Sequence, residues 1–241
     1  GEGENVIHRL TKARANRAVN DAADLAEDIL LPICAMVAEL HSTGLSLGVH
    51  DPSEIWITKD NELRLLDCPL VSPDETPQVN RTVPAFSPPE AYGRCGGVLD
   101  APADVFFLGT LLFHCLARVP VPSTVGLVQT RLPPPLLFHP RIPPELNAIT
   151  RRATSLIRSY RYADASKLGE AIRWALRIEK RRSTGKASEV KLEIASETHI
   201  GLIKQRYCSE NQDSHYHSWD PITQRGIFLV SDGVSVSEFG A

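Results

Sequence analysis

No stretch of this sequence reaches the eighteen or so uninterrupted apolar residues that a membrane-spanning helix needs. The longest apolar region, Val105 to Ala117, is broken by Gly109, Thr110 and His114, so no membrane partner is expected. Neither sign of charge dominates: 26 Lys and Arg stand against 29 Asp and Glu, a net −3. Such a chain lacks the broad basic field of non-specific nucleic-acid binding, and no nucleic-acid partner is expected. The five cysteines form no CxxC pair. A zinc site is therefore not expected, and the odd scatter reads as reduced thiols in a cytoplasmic protein. The first twenty residues are polar, so no signal peptide is visible. Internal repeats and low-complexity tracts are also missing. What is present, 42% hydrophobic and 23% charged residues over 241 positions, suits one globular domain, or one domain plus part of another.

From Asn20 to Ser42, Leu25, Ile29, Ile33, Val37 and Leu40 recur every three or four residues, one apolar helical face. Asn20 or Asp21 can cap its start and Gly44 can close it, while Pro32 predicts a kink or a boundary within it. The segment Ile7 to Val19 is basic and weakly periodic, which predicts a shorter, more exposed helix. Ile55-Trp56-Ile57, a turn at Lys59-Asp60-Asn61-Glu62 and Leu63-Arg64-Leu65-Leu66 read as a β-hairpin on a mainly helical body. No period holds from Pro69 to Gly97, and loops of that length are often functional. Asp104 to Ala117 is apolar on nearly every side, as a helix through a domain centre is. After the Pro-punctuated stretch Pro120 to Pro144, two amphipathic helices are predicted at Leu146 to Ile157 and Ala165 to Ile178. At Glu179 the composition shifts to a polar, basic run that reads as a linker or frayed helix end, and strands then follow at Val190–Ile194, Thr198–Lys204 and Gly226–Val230.

The order of these signals carries more than any one of them. A helix ends at Leu40-His41-Ser42-Thr43-Gly44, Pro52-Ser53-Glu54 opens a hairpin that closes on Asp67, and Ser87-Pro88-Pro89-Glu90 ends the irregular segment. A buried helix then begins at Asp104, and Arg161-Tyr162 precede the last one. This set resembles the C-terminal lobe of a protein kinase. With Pro52 as anchor, the kinase pattern H-R-D-x-K-P-x-N falls on Leu47, Gly48, Val49, then Asp51 at the lysine and Glu54 at the magnesium-binding asparagine. Val49 stands where the catalytic base belongs and cannot accept a proton; Asp51, two residues away, is the one possible substitute. Sliding the register to make His50-Asp51 the motif breaks the Pro52 match. Asp67-Cys68-Pro69 stands for D-F-G, so Asp67 keeps the metal-position carboxylate while Pro69 removes a flexible glycine. The resemblance assigns structural roles to Glu90 and Arg161, a buried ion pair, and to Asp104, a buried acid bracing the catalytic loop. No G-x-G-x-x-G loop or V-A-I-K lysine stands before residue 20, so this chain is not expected to bind ATP or phosphorylate.

Toward the C-terminus, Asn211-Gln212-Asp213 precedes the strand Gly226–Val230, which delivers Ser231-Asp232-Gly233. The order resembles the start of a type 2C metal-dependent protein phosphatase. That resemblance implies two Mg²⁺ or Mn²⁺ ions in a complete domain, with Asp232 as bridging ligand, a Gly233 carbonyl ligand, Asp213 in the outer shell and Arg206 for substrate phosphate. Asp-Gly is also common turn chemistry, and His215 and His217 alternate as metal ligands can, though polar strand edges carry such residues as well. The segment 190–241 is far short of a full β-sandwich.

The expected fold is therefore α+β: a mainly helical protein-kinase-like C-lobe over residues 1–182, a linker at 183–189, and the first strands of a phosphatase β-sandwich over 190–241. The expected function is phospho-signalling, a phosphatase parent acting on a phosphoprotein substrate with a catalytically dead kinase-like scaffold. Two alternatives stay open: a Ser/Thr kinase with a non-standard loop, and a non-catalytic module that docks a protein partner through residues 70–100.

Overall fold

The polar N-terminal stretch begins with a strand. The computed structural model describes residues 3–15, 22–48, 50–66, 68–72, 85–92, 98–121, 131–139, 141–184, 194–197, 213–220 and 225–231. Strand β1 (Gly3–Asn5) runs directly into helix α1 (Val6–Ala15), and the Asn5 side-chain oxygen accepts from the His8 N–H at 2.8 Å, satisfying an open donor of the first turn. His8, Thr11 and Lys12 of α1 are exposed, yet Val6 and Leu10 are buried, so one apolar edge anchors a helix whose sequence reads as more exposed.

The long periodic segment resolves into α2 (Ala22–Leu25), a π-helical turn (Ala26–Leu30) and α3 (Leu31–Ser42). Pro32 accounts for the interruption: it has no N–H, and its ring crowds the carbonyl one turn earlier, so the wider π spacing falls in the turn before it. Leu25, Ile29, Ile33 and Val37 are all buried, the face that the spacing predicts. Gly44 takes φ +79° after the helix, the left-handed conformation a glycine cap supplies.

Strand β2 (Ser46–Leu47) leads to the hairpin of β3 (Ile55–Thr58) and β4 (Leu63–Leu65), in which Ile55 faces Leu65 and Ile57 faces Leu63. Strand β1 joins the other edge of β3, giving the order β1-β3-β4. Strand β5 (Leu70–Val71) pairs antiparallel with β2, placing the Pro69 region against residues 46–48.

Helix α4 (Ala101–Ala117) starts at Asp100, whose side chain accepts from the Ala103 N–H, and every residue from Ala103 to Ala117 is buried. Helix α5 (Pro144–Ala153) packs directly on it. A Cβ at Gly109 would lie 2.7 Å from Ala153 Cβ and 2.9 Å from Thr154 Cγ2, so the contact tolerates only hydrogen at that position. Helix α6 (Ala165–Thr184) runs into the segment that reads as a linker as far as Thr184, and residues 185–189 lie outside the described residues. Leu30, Ile33, Ile55, Leu108, Leu112 and Leu146 belong to one core that joins these helices to the hairpin.

The chain divides into two units, residues 1–176 and 177–241. In the second, β6 (Ser214–Asp220) and β7 (Arg225–Ser231) pair antiparallel along their whole length. Strand β7 is the predicted apolar strand. The expected strand at 198–204 and positions 190–193 lie outside the described residues, and the described strands of this unit make one hairpin, not a sandwich.

Candidate functional site

Asp104, on the first turn of α4, has no solvent exposure, and an isolated carboxylate there would be prohibitively costly. Three donors surround it. Oδ2 accepts from the Leu47 N–H at 3.0 Å and from His41 Nε2 at 2.9 Å, while Oδ1 lies 2.8 Å from His50 Nε2. The tautomer of His41 follows from its other nitrogen. The Ala165 N–H points at Nδ1 at 3.2 Å, and a backbone N–H can only donate, so the ring proton sits on Nε2 and goes to Asp104. One carboxylate thus ties together the end of α3, strand β2, the following loop and, through His41, the start of α6. His50 is 1% exposed and also packs against the Phe107 ring, with centroids 5.5 Å apart.

The loop that Asp104 holds is closed on its other side. The Gly48 N–H donates to the Pro69 carbonyl at 2.6 Å, and a Cβ at Gly48 would meet that oxygen at 2.7 Å and Val71 Cγ2 at 2.9 Å. No side chain larger than hydrogen fits without displacing the Pro69 backbone. Asp51 caps the 3₁₀ turn Pro52–Glu54: its Oδ1 accepts from the Ser53 N–H at 2.8 Å and from Ser53 Oγ at 2.7 Å. Glu54 is buried, and its carbonyl accepts from the Leu66 N–H at 2.8 Å, where the loop enters the hairpin. Val49 and Asp67 lie outside the described residues.

A second buried anchor joins Glu90 to Arg161. Arg161 Nη2 donates to Glu90 Oε1 at 2.9 Å and Nη1 to Oε2 at 3.2 Å, with both side chains fully removed from water. Nε and the second Nη1 hydrogen donate to the Ser155 and Pro102 carbonyls, and the cation lies 4.9 Å from the Phe106 ring centroid. A bidentate geometry with further hydrogen bonds to the cation is the condition under which a buried ion pair is tolerated. Glu90 lies in a 3₁₀ turn (Pro89–Tyr92) and Arg161 just before α6, so the pair fastens the irregular middle segment to the helical body.

Of the residues assigned to the second constellation, Asp232, Gly233 and Arg206 lie outside the described residues, and Asp213 directly precedes β6. His215 and His217 stack on one face of β6, and His217 Nδ1 lies 3.3 Å from Ser196 Oγ. Among the described residues no group of three or more His, Cys, Asp or Glu side chains could hold a metal ion, and no helix is long and apolar enough to cross a membrane. Asp213 by itself does not make a divalent-cation site.

Sequence reasoning did not assign roles to His41, His50 and Gly48. Two histidines flanking a short apolar strand were the available signal, but only the fold brings both to a carboxylate more than fifty residues away.

No protein-family model matches the chain. Over 158 residues it is 27% identical to the serine/threonine-protein kinase PknB of Mycolicibacterium smegmatis, covering 59% of this chain and 25% of that protein. Over 143 residues it is 26% identical to a probable serine/threonine-protein kinase of Streptomyces coelicolor, covering 53% of this chain and 21% of the relative. The PknI kinase domain of Mycobacterium tuberculosis superposes with a TM-score of 0.51 at 21% identity over 72% of this chain, and a double-mutant form of it with 0.54 at 19% over 73%. The chain therefore has a protein-kinase-like fold. It spans a quarter or less of the curated relatives and 63% of the PknI domain.

Proposed function

We propose that residues 1–182 form a kinase-like lobe that serves phospho-signalling as a scaffold and does not itself transfer phosphate. The packing of Gly48 on Pro69 carries this reading. A kinase loop of the H-R-D pattern places an arginine and then an aspartate base at positions 48 and 49. Here the first has no room for a side chain, and the second is valine. Phosphoryl transfer depends on positioned charge and a proton acceptor, and this loop supplies neither in the usual place. The braces around Asp104 and between Glu90 and Arg161 keep the lobe folded without needing any of that chemistry. The full-length natural protein, given Mg²⁺ and labelled ATP, is expected to label neither itself nor a general protein acceptor.

A second reading draws on the relatives, which are named as kinases. In it Asp51 replaces the missing base, and phosphate transfer that disappears in Asp51→Ala would establish it.

For residues 190–241 the proposed role is the beginning of a type 2C phosphatase domain. The motif order and the strand β7, which ends immediately before Asp232-Gly233, support this reading. The full-length protein should then hydrolyse p-nitrophenyl phosphate only with Mn²⁺ or Mg²⁺ and lose that activity in Asp232→Ala. Hydrolysis that survives the substitution would remove Asp232 from the metal site.

A further inference from the structure

Beside the Glu90–Arg161 anchor lies an open cavity of about 600 Å³ lined by Pro102, Arg152, Arg158, Ser159, Arg161, Tyr162 and Ala163. Three of the seven lining residues are arginines, and none is acidic. Their charges are not equally matched. Arg161 is neutralised by Glu90, and Arg158 pairs with Asp100. Arg152 has no carboxylate partner among the described residues. It is nevertheless held in place: Nε donates to the Tyr160 carbonyl at 3.2 Å, and the guanidinium lies 4.3 Å from the Tyr162 ring centroid. Burial raises the Tyr162 hydroxyl above its ordinary value, with Arg152 opposing the shift, so this ring is a neutral platform under the cation.

We propose that this cavity binds a phosphate monoester carried on a protein segment, held chiefly by Arg152 with help from Arg158 and the exposed Ser159 hydroxyl. A phosphoryl group brings nearly two negative charges and three acceptor oxygens, and a pre-positioned guanidinium fork suits it better than a point charge would. Among the described residues the site has one positive charge without a carboxylate partner and two further guanidiniums already oriented by their own partners. Exposed side chains next to the lining residues in sequence favour a protein-borne ligand. Ile157 and Tyr160 are 47% and 66% exposed, and a flanking peptide residue would cover them where a free ion would not. The site is separate from the loop at residues 47–54, so the inference does not depend on whether the lobe transfers phosphate.

The test is fluorescence polarisation of the 241-residue chain with a labelled peptide pool that fixes one phosphoserine among degenerate positions, alongside the same pool with serine. The phosphoserine pool should bind saturably and at least about tenfold more tightly than the serine pool, the scale of one charge-assisted contact. Arg152→Gln should weaken that binding by about tenfold or more. Ser159→Glu, at an exposed position, should abolish it with the thermal midpoint unchanged, which keeps the test valid if Arg152→Gln disturbs folding. Inorganic phosphate should compete only at concentrations well above those of the phosphopeptides. Equal binding of the two pools, no saturable binding, or indifference to both substitutions would overturn the site. Inorganic phosphate binding as tightly as the phosphopeptides would overturn the protein-borne ligand.

Discussion

Asp104 concentrates three hydrogen bonds from three separate segments on two oxygens, with no water to replace any of them. Truncation to Asp104→Ala would leave the Leu47 N–H and both imidazoles facing an empty, buried space. Leaving a buried donor without its acceptor costs about 1–3 kcal/mol, and three such losses are a large part of a domain's whole stability. Urea unfolding of Asp104→Ala should show that loss or no folded baseline at all; a midpoint within error of the parent would mean that the brace carries no weight. Cys34 and Cys115 behave as core residues in a different way. Both are buried, and burial pushes each thiol up to about 12 from its ordinary 9.0. Because the folded value is the raised one, the stability linked to these thiols is complete below the unfolded value and is lost as pH rises toward the folded one. The urea midpoint should therefore fall between about pH 9 and 11. The fall should be shallower in the Cys34→Ala/Cys115→Ala chain, and equal slopes would remove the thiols from the account.

At the scale of elements, the helices were legible where apolar spacing or an unbroken apolar run dictated them. Leu25 through Leu40 marked the second helix, and the all-round apolar character of residues 104–117 marked the buried rod. Less was legible where geometry depends on a partner. Strand β1 and the two-residue ladder of β2 and β5 carry no period of their own, and β6 is Ser-His-Tyr-His-Ser-Trp-Asp, with no apolar alternation to reveal it. Pro32 announced an interruption but not that it would become a π turn. Gly109 is an element-scale feature as well, since it sets how closely α4 and α5 approach. Gly109→Ala would force a methyl into Ala153 and Thr154, and overpacking of this kind costs about 1–3 kcal/mol. A thermal melt should register that loss as a drop in midpoint; an unchanged or raised midpoint would show that α5 can move aside.

The whole molecule is a helical lobe with a small sheet, joined in sequence to a second unit in which one hairpin is described. The kinase-like fold was readable because a buried helix, a hairpin and two long-range anchors must occur in one order to make it. The ordered set survives even where single residues have changed. The site was less readable for the same reason. Val49 stands where the resemblance puts the base, but nothing in a string of letters shows that Gly48 is pressed against Pro69 or that His50 turns inward to Asp104. Those facts depend on a ladder of two residues and on a fold closing around one carboxylate. The proposed scaffold role requires that this lobe transfers no phosphate. A single-turnover experiment tests that most directly: the full-length natural protein in molar excess over labelled Mg²⁺-ATP, with products resolved over time beside Asp51→Ala. The predicted result is no protein-bound label in either sample. Label that accumulates toward the amount of nucleotide supplied, and vanishes in Asp51→Ala, would contradict it.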